Sequence, residues 1–136
     1  MAVRAAQQLQ YAEIRTFTVA AAQTVTAGQA VKQTADLIVQ GMAAVGDFAI
    51  GIALDDAAAG TLVRVAIWGS GIAKVKVGTG GATRGAPAKY VANGLTTATV
   101  GGATTAIFFC GQFLETGVAG DLVALNLGVA SFGVGS

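Results

Sequence analysis

The chain contains no histidine. That removes the commonest general base at neutral pH, the usual activator of a serine or cysteine nucleophile, and the commonest zinc ligand. Cysteine is nearly absent too: Cys110 stands alone, which excludes an intrachain disulfide and any metal site built on cysteines. It lies inside an apolar run, where a buried inert thiol is the ordinary outcome and a reactive thiolate the exceptional one. Charge is scarce, at 11% of residues, against about 25% in an ordinary soluble domain. The net charge of +1 is scattered without a basic stripe, so nucleic acid is not an expected partner. Long apolar runs are also missing. Met42 to Leu54 is broken by Asp47, Thr105 to Leu114 is short, and a spanning helix requires about 18 residues or more. Met1 to Phe17 carries Arg4, Glu13 and Arg15 among several glutamines and has no apolar block suited to a secretion signal. The expectation is a soluble protein made in a cytoplasm, with no membrane partner and no cofactor.

What is present is small and apolar. Hydrophobic residues make up 54% of the 136, the mean hydropathy is +0.66, and there are 20 glycines. A chain of this length forms one domain and buries about two thirds of its unfolded surface without staples. Much of the apolar content is Ala and Val, which pack thin layers rather than thick cores. So few charges leave little to keep copies apart, so part of the apolar surface is expected to be covered by other subunits.

The strongest pattern is an internal repeat at an offset of 60 residues. Ala49 to Ile67 (AIGIALDDAAAGTLVRVAI) aligns without gaps on Phe109 to Leu127 (FCGQFLETGVAGDLVALNL). Gly51 meets Gly111, Leu54 meets Leu114, Asp55 meets Glu115, and Ala59-Gly60 meets Ala119-Gly120. Leu62-Val63 meets Leu122-Val123, Val65 meets Leu125 and Ile67 meets Leu127. Upstream, TAGQAVK at 26–32 is echoed by TRGAPAK at 83–89. Neither half is long enough to bury a core alone, so the expectation is one domain, 16–136, with related halves at about 24–77 and 81–130.

Each copy reads as strand, turn, strand. Ile50, Ile52 and Leu54 alternate with Gly51 and Ala53, the period of a half-buried strand. Asp55 and Asp56 end it, Ala57 to Gly60 forms the loop, and Leu62, Val63, Val65 and Ile67 form the return strand. The second copy repeats this over Ile107 to Leu114 and Leu122 to Leu127. Between the copies, Ile72, Lys74 and Lys76 oppose Ala73, Val75 and Val77. Thr16 to Val19, Ala30 to Lys32 and Ala88 to Val91 read as further short strands. Val31 to Met42 has a helical option, but Gly41 and its β-branched residues argue against it. The spread of glycine, threonine, valine and turn clusters predicts an all-β fold, a small β-sandwich or barrel with internal strand-turn-strand duplication. Residues 1–15, with Gln7, Gln8 and Gln10 and no firm period, read as an extended N-terminal arm that orders on a partner.

Groups with catalytic potential are few. Asp55 and Asp56 are adjacent, and adjacent side chains on a strand diverge, so a turn role outweighs a paired acid and base. A calcium site would require Asp55, Asp56 and Glu115 to converge without the usual loop spacing. Gly78 to Gly85 (GTGGATRG) has two glycines placed as in a dinucleotide loop, but Thr83 stands where the third belongs and no Lys-Ser/Thr follows. It reads as a flexible connection between strands. Trp68, before Gly69-Ser70-Gly71, is either a ligand platform or, more ordinarily, a packing plug or interface anchor. No catalytic, metal or cofactor-binding residue is expected.

The order TAGQAVK, FAIGIALDDAAAG, LVRVA and GIAKVK resembles the capsid cement proteins of tailed phages, over about residues 24 to 127. The resemblance implies a role rather than a reaction. It implies a head decoration protein, bound to the major capsid protein on the outer capsid surface of the virion and stiffening the lattice, self-associating as a homotrimer or a dimer. A phage surface receptor- or carbohydrate-binding module is the alternative. Under this reading Val3, Leu9, Tyr11 and Ile14 are the expected arm contacts with the capsid, with Trp68 near an interface.

Overall fold

The computed structural model describes residues 12–69, 71–101 and 105–136. They form strands β1 (Glu13–Val19), β2 (Ala30–Ala35), β3 (Ile38–Gly41), β4 (Ala49–Ala53), β5 (Leu62–Ile67) and β6 (Ile72–Lys76). After these come β7 (Ala88–Val91), β8 (Gly94–Thr97), β9 (Ala106–Phe109), β10 (Gln112–Phe113), β11 (Leu122–Asn126) and β12 (Ser131–Val134). A 3-10 turn at Leu127–Val129 precedes the last strand. The fold is all-β, as the glycine spacing and period-two runs predict. Among the described residues no helix is long and apolar enough to cross a membrane.

The first five strands close into a barrel in the order β1-β3-β2-β4-β5. β1 runs antiparallel to β5, from Glu13 opposite Ile67 to Thr18 opposite Leu62, and parallel to β3 through Val19 and Val39. Closure removes the free edges that a strand-rich, charge-poor chain would otherwise expose. Barrel 1 is filled by Phe17, Val19, Val25, Val31, Val39, Ala53, Val63 and Val65.

The second half retraces the same circuit with shorter strands. β6 pairs antiparallel with β11, with Lys76 opposite Leu122, and meets β8 in parallel at Val77 and Leu95. β8 pairs with β7, β7 reaches β10 through the bridge of Pro87 and Gln112, and β10 returns to β11. The backbone hydrogen bonds repeat with it. Gly28 donates to Ala53 and Gly85 to Phe113, both at 2.8 Å; Leu54 donates to Arg64 at 2.8 Å and Leu114 to Ala124 at 2.9 Å. Gly60 donates to Val19 at 2.9 Å and Gly120 to Val77 at 2.8 Å. Every residue that fills barrel 1 has a buried counterpart: Val75, Val77, Ala82, Ala88, Leu95, Phe113, Val123 and Leu125, in the same order. This second set belongs to a larger core that also holds the seam between the barrels.

Several expectations change in detail. β4 is buried on both faces rather than half-buried, because Ala53 points into barrel 1 while Ala49 and Ile52 join the core shared with the second half. Ile107 to Leu114 is two strands, interrupted at Cys110 and Gly111, where β9 leaves the circuit to pair with β12. Val31 to Met42 is a hairpin of β2 and β3, turned at Leu37, which takes a φ of 58°. β1 begins at Glu13, so the strand reaches into residues 13–15, which were expected to belong to the arm. The Gly78 to Gly85 connection is pinned rather than loose: Gly81 donates to Gly78, Ala82 to Gly117 and Gly85 to Phe113.

Candidate binding surface

The carboxylates that could have carried chemistry are each engaged in holding the fold. Asp55 accepts from the Arg64 backbone at 3.1 Å and from its guanidinium at 2.7 and 3.0 Å. The Arg64 hydrogen bonds hold the Asp55 carboxyl below its ordinary range against a smaller opposing effect of burial. Glu115, its counterpart, accepts from the Ala124 backbone at 2.7 Å and pairs with Lys74 at 2.9 Å. The cation has moved strands: Lys74 lies opposite Ala124 on β6, whereas Arg64 is carried by β5 itself. Asp56 accepts from the Ala27 backbone at 2.8 Å. Asp47 closes the loop before β4, accepting from Ala43 at 2.8 Å and Ala44 at 2.9 Å and pairing with Lys32 at 3.0 Å. Burial opposes its charge, but those backbone donors and the Lys32 ammonium together hold its carboxyl below the ordinary range. Among the described residues no three acidic or cysteine side chains stand close enough to hold a metal ion. Cys110 is fully buried against the Met42 sulfur at 3.8 Å, and burial pushes its thiol up to about 12.

The surface has a different character where β4, β5, β9 and β12 meet. Phe48 and Phe132 are exposed at 62% and 53%, unusual for side chains of that size. Phe48 stacks on the buried Phe108 with ring centres 5.3 Å apart, and Phe132 sits edge-on to both, at 5.3 and 5.0 Å. Trp68, half-buried at the end of β5, donates its indole N–H to the Ala49 carbonyl at 2.6 Å and tilts over Phe108 at 6.1 Å. These rings, with Ile50, Ile67, Ala130 and Ser131, line an open cleft of about 370 Å³. A second hollow, lined by Glu13, Arg15, Phe17 and Gln33, shares the Ile50 and Ile67 wall. Among the described residues the cleft holds one polar side chain, Ser131, and no titratable one, so it suits an uncharged protein surface.

Of the residues expected to make contacts, Trp68 lies in this cleft. Ile14 is 42% exposed on β1, in register with Ala66, and does not line the cleft. Val3, Leu9 and Tyr11 lie outside the described residues. Phe48 and Phe132 were missed. Phe48 sits directly after Asp47 inside an apolar stretch, where it reads as a core residue, and Phe132 belongs to β12, a four-residue strand with Gly133 inside it, which the sequence pattern does not announce.

No protein-family model matches the chain, and no curated protein matches it. Among solved structures the chain is similar to the head fiber gp8.5 N base in bacteriophage phi29, with a TM-score of 0.62 and 22% identity, over 85% of this chain and 94% of that one. Likeness over nearly the whole of both chains at that identity establishes a shared fold.

Proposed function

We propose that this protein is a structural component of a phage particle, carried on the outside of the head, where it binds the major capsid protein lattice and does no catalysis. The observation that carries the reading is the fold shared, over 85% of this chain, with a phage head fiber base. The order of motifs resembling capsid cement proteins is the sequence-based ground for the same reading, while no family model matches the chain. The physical surface agrees. Charged residues make up only 11% of the chain, which suits a surface covered by other subunits. Many identical copies on one shell turn modest single contacts into tight retention. The arm contacts expected of Val3, Leu9 and Tyr11 belong to this proposal. A carbohydrate-binding role is less well served, because one hydroxyl among apolar side chains gives sugar hydroxyls few partners.

The test is co-sedimentation of the purified chain with expanded heads that lack it, alongside a chain shortened to begin at residue 12. The full chain is expected to pellet in saturable amounts, and the shortened chain to fold but pellet at least tenfold less. Failure of the full chain to bind heads would overturn the proposal.

A further inference from the structure

The two barrels are joined by unlike faces. Barrel 1 contributes Ala30, Ala49, Ile52, Leu54 and Ala66, and the second barrel contributes Ala73, Phe108, Cys110 and Leu127; all of these are buried in one shared core. The repeat register then identifies what each barrel leaves over. The counterparts of Ala73, Phe108, Cys110 and Leu127 are Arg15, Phe48, Ile50 and Ile67, exposed or half-buried on barrel 1, where they line the aromatic cleft and the hollow beside it. The counterparts of Ala30, Ile52, Leu54 and Ala66 are Pro87, Gln112, Leu114 and Asn126, all half-buried on the second barrel. Pro87 and Gln112 line an open groove there of about 310 Å³, with Gly111 and Val129. The counterpart of Ala49, Phe109, is sheltered by Gly133 of the C-terminal strand.

We infer that the second barrel of one copy docks on the first barrel of another, repeating between chains the contact that joins the barrels within a chain. The occupant of the aromatic cleft is thus a second copy, presenting Pro87, Gln112, Leu114 and Asn126. The face it offers is more polar than its counterpart inside the chain, as suits an interface whose parts must first exist apart in water. Two different patches meet, so the contact is heterologous and propagates head to tail. Its geometry favours closure. Phe48 and Phe108 are counterparts, and their ring centres are 5.3 Å apart. The translation along an axis relating two bodies cannot exceed the separation of any pair of equivalent points. The operation joining the barrels therefore advances by at most about 5.3 Å per step, and where its rotation divides a full turn, repeating it builds a ring with the Phe48 and Phe108 rings gathered near its axis. The inference rests on the repeat and not on the virion reading, and its test uses the free chain without capsids.

The experiment measures mass by light scattering and sedimentation for the full chain and for Phe48→Lys and Gln112→Arg, with circular dichroism to confirm folding. The full chain is expected at a fixed multiple of 13.4 kDa. Each variant is expected to weaken assembly at least tenfold, and an equal mixture of the two to form dimers and nothing larger, because each supplies the face the other lacks. Phe48→Ser and Gln112→Glu provide milder versions if either variant unfolds. A full chain that stays monomeric at millimolar concentration, variants that assemble unchanged, or a mixture that forms no dimer would each overturn the inference. So would a monomer that assembles only once residues 1–11 are removed, since the cleft would then be filled by its own chain.

Discussion

Phe113 stands in the second barrel where Ala53 stands in the first: each carbonyl accepts the backbone N–H of the matching glycine, Gly85 or Gly28, at 2.8 Å. The volume is balanced across the barrel. Phe17 fills barrel 1 where its counterpart in the second is the smaller Val75. Among the described residues each barrel thus holds one aromatic ring, entering from a different strand. Phe113→Ala is expected to cost about 3–5 kcal/mol through lost burial and the cavity left behind. Ala53→Phe should cost about 1–3 kcal/mol or more through overpacking. Urea denaturation of both variants measures this, and a neutral Ala53→Phe would show that barrel 1 has room the structure does not contain.

Gly51 and Gly111 should resist substitution for reasons that differ in kind. A Cβ on Gly51 would press into the Ala66 carbonyl oxygen on the neighbouring strand. On Gly111 it would meet the Asn126 carbonyl oxygen at 2.5 Å, in a backbone already at φ 100°. Alanine is expected to destabilise at both, by about 1–3 kcal/mol, with Gly111 adding the strain of positive φ. Melting temperatures of the two variants check it, against Gly60→Ala, where a Cβ meets open space and only the strain of a φ of 76° remains.

Acid should weaken the fold through Asp47 and Asp55. Both carboxyls are held below their unfolded value, so the folded state binds fewer protons and the stabilisation is present at neutral pH. It is lost as the pH falls below about 4 and through the folded values. Asp55→Asn and Asp47→Asn are each expected to lower stability at pH 7 by about 1 kcal/mol or less, since both pairs are partly exposed. The double variant should show a flatter acid limb in a melting-temperature profile. An unchanged acid limb would contradict the assignment.

Cys110 should be silent to thiol reagents while the protein is folded. Its thiol is pushed up to about 12 by burial, so almost none of it is thiolate at pH 8. Labelling with iodoacetamide is expected to follow global unfolding, rising with urea along the same transition as circular dichroism. Rapid labelling in buffer would mean that the seam between the barrels opens locally.

The strands that were legible in the sequence are those with a period of two and a bulky apolar partner, such as Leu62–Ile67 and Leu122–Asn126. The repeat was legible because both copies need the same glycine, acidic residue and return strand. Ile38–Gly41 and Gly94–Thr97 were not, because each is four residues long and stabilised by pairing with strands distant in the chain rather than by its own pattern. Closure into a barrel rather than a sandwich was also out of reach, since it depends on the parallel contact of Val19 with Val39. Trp68 stood out in the sequence as the only tryptophan and next to a turn, and the structure places it in the aromatic cleft. Its companions Phe48 and Phe132 did not stand out, because an exposed phenylalanine and a buried one look alike until the neighbours are placed.

Imaging of the parent phage particle at a resolution that separates protein subunits tests the central reading most directly. The expected result is paired barrels seated on the outer face of the head lattice, with density continuing from residue 12 toward the capsid protein. Heads whose outer surface carries no such density, in particles shown by mass spectrometry to come from a host expressing the chain, would contradict it.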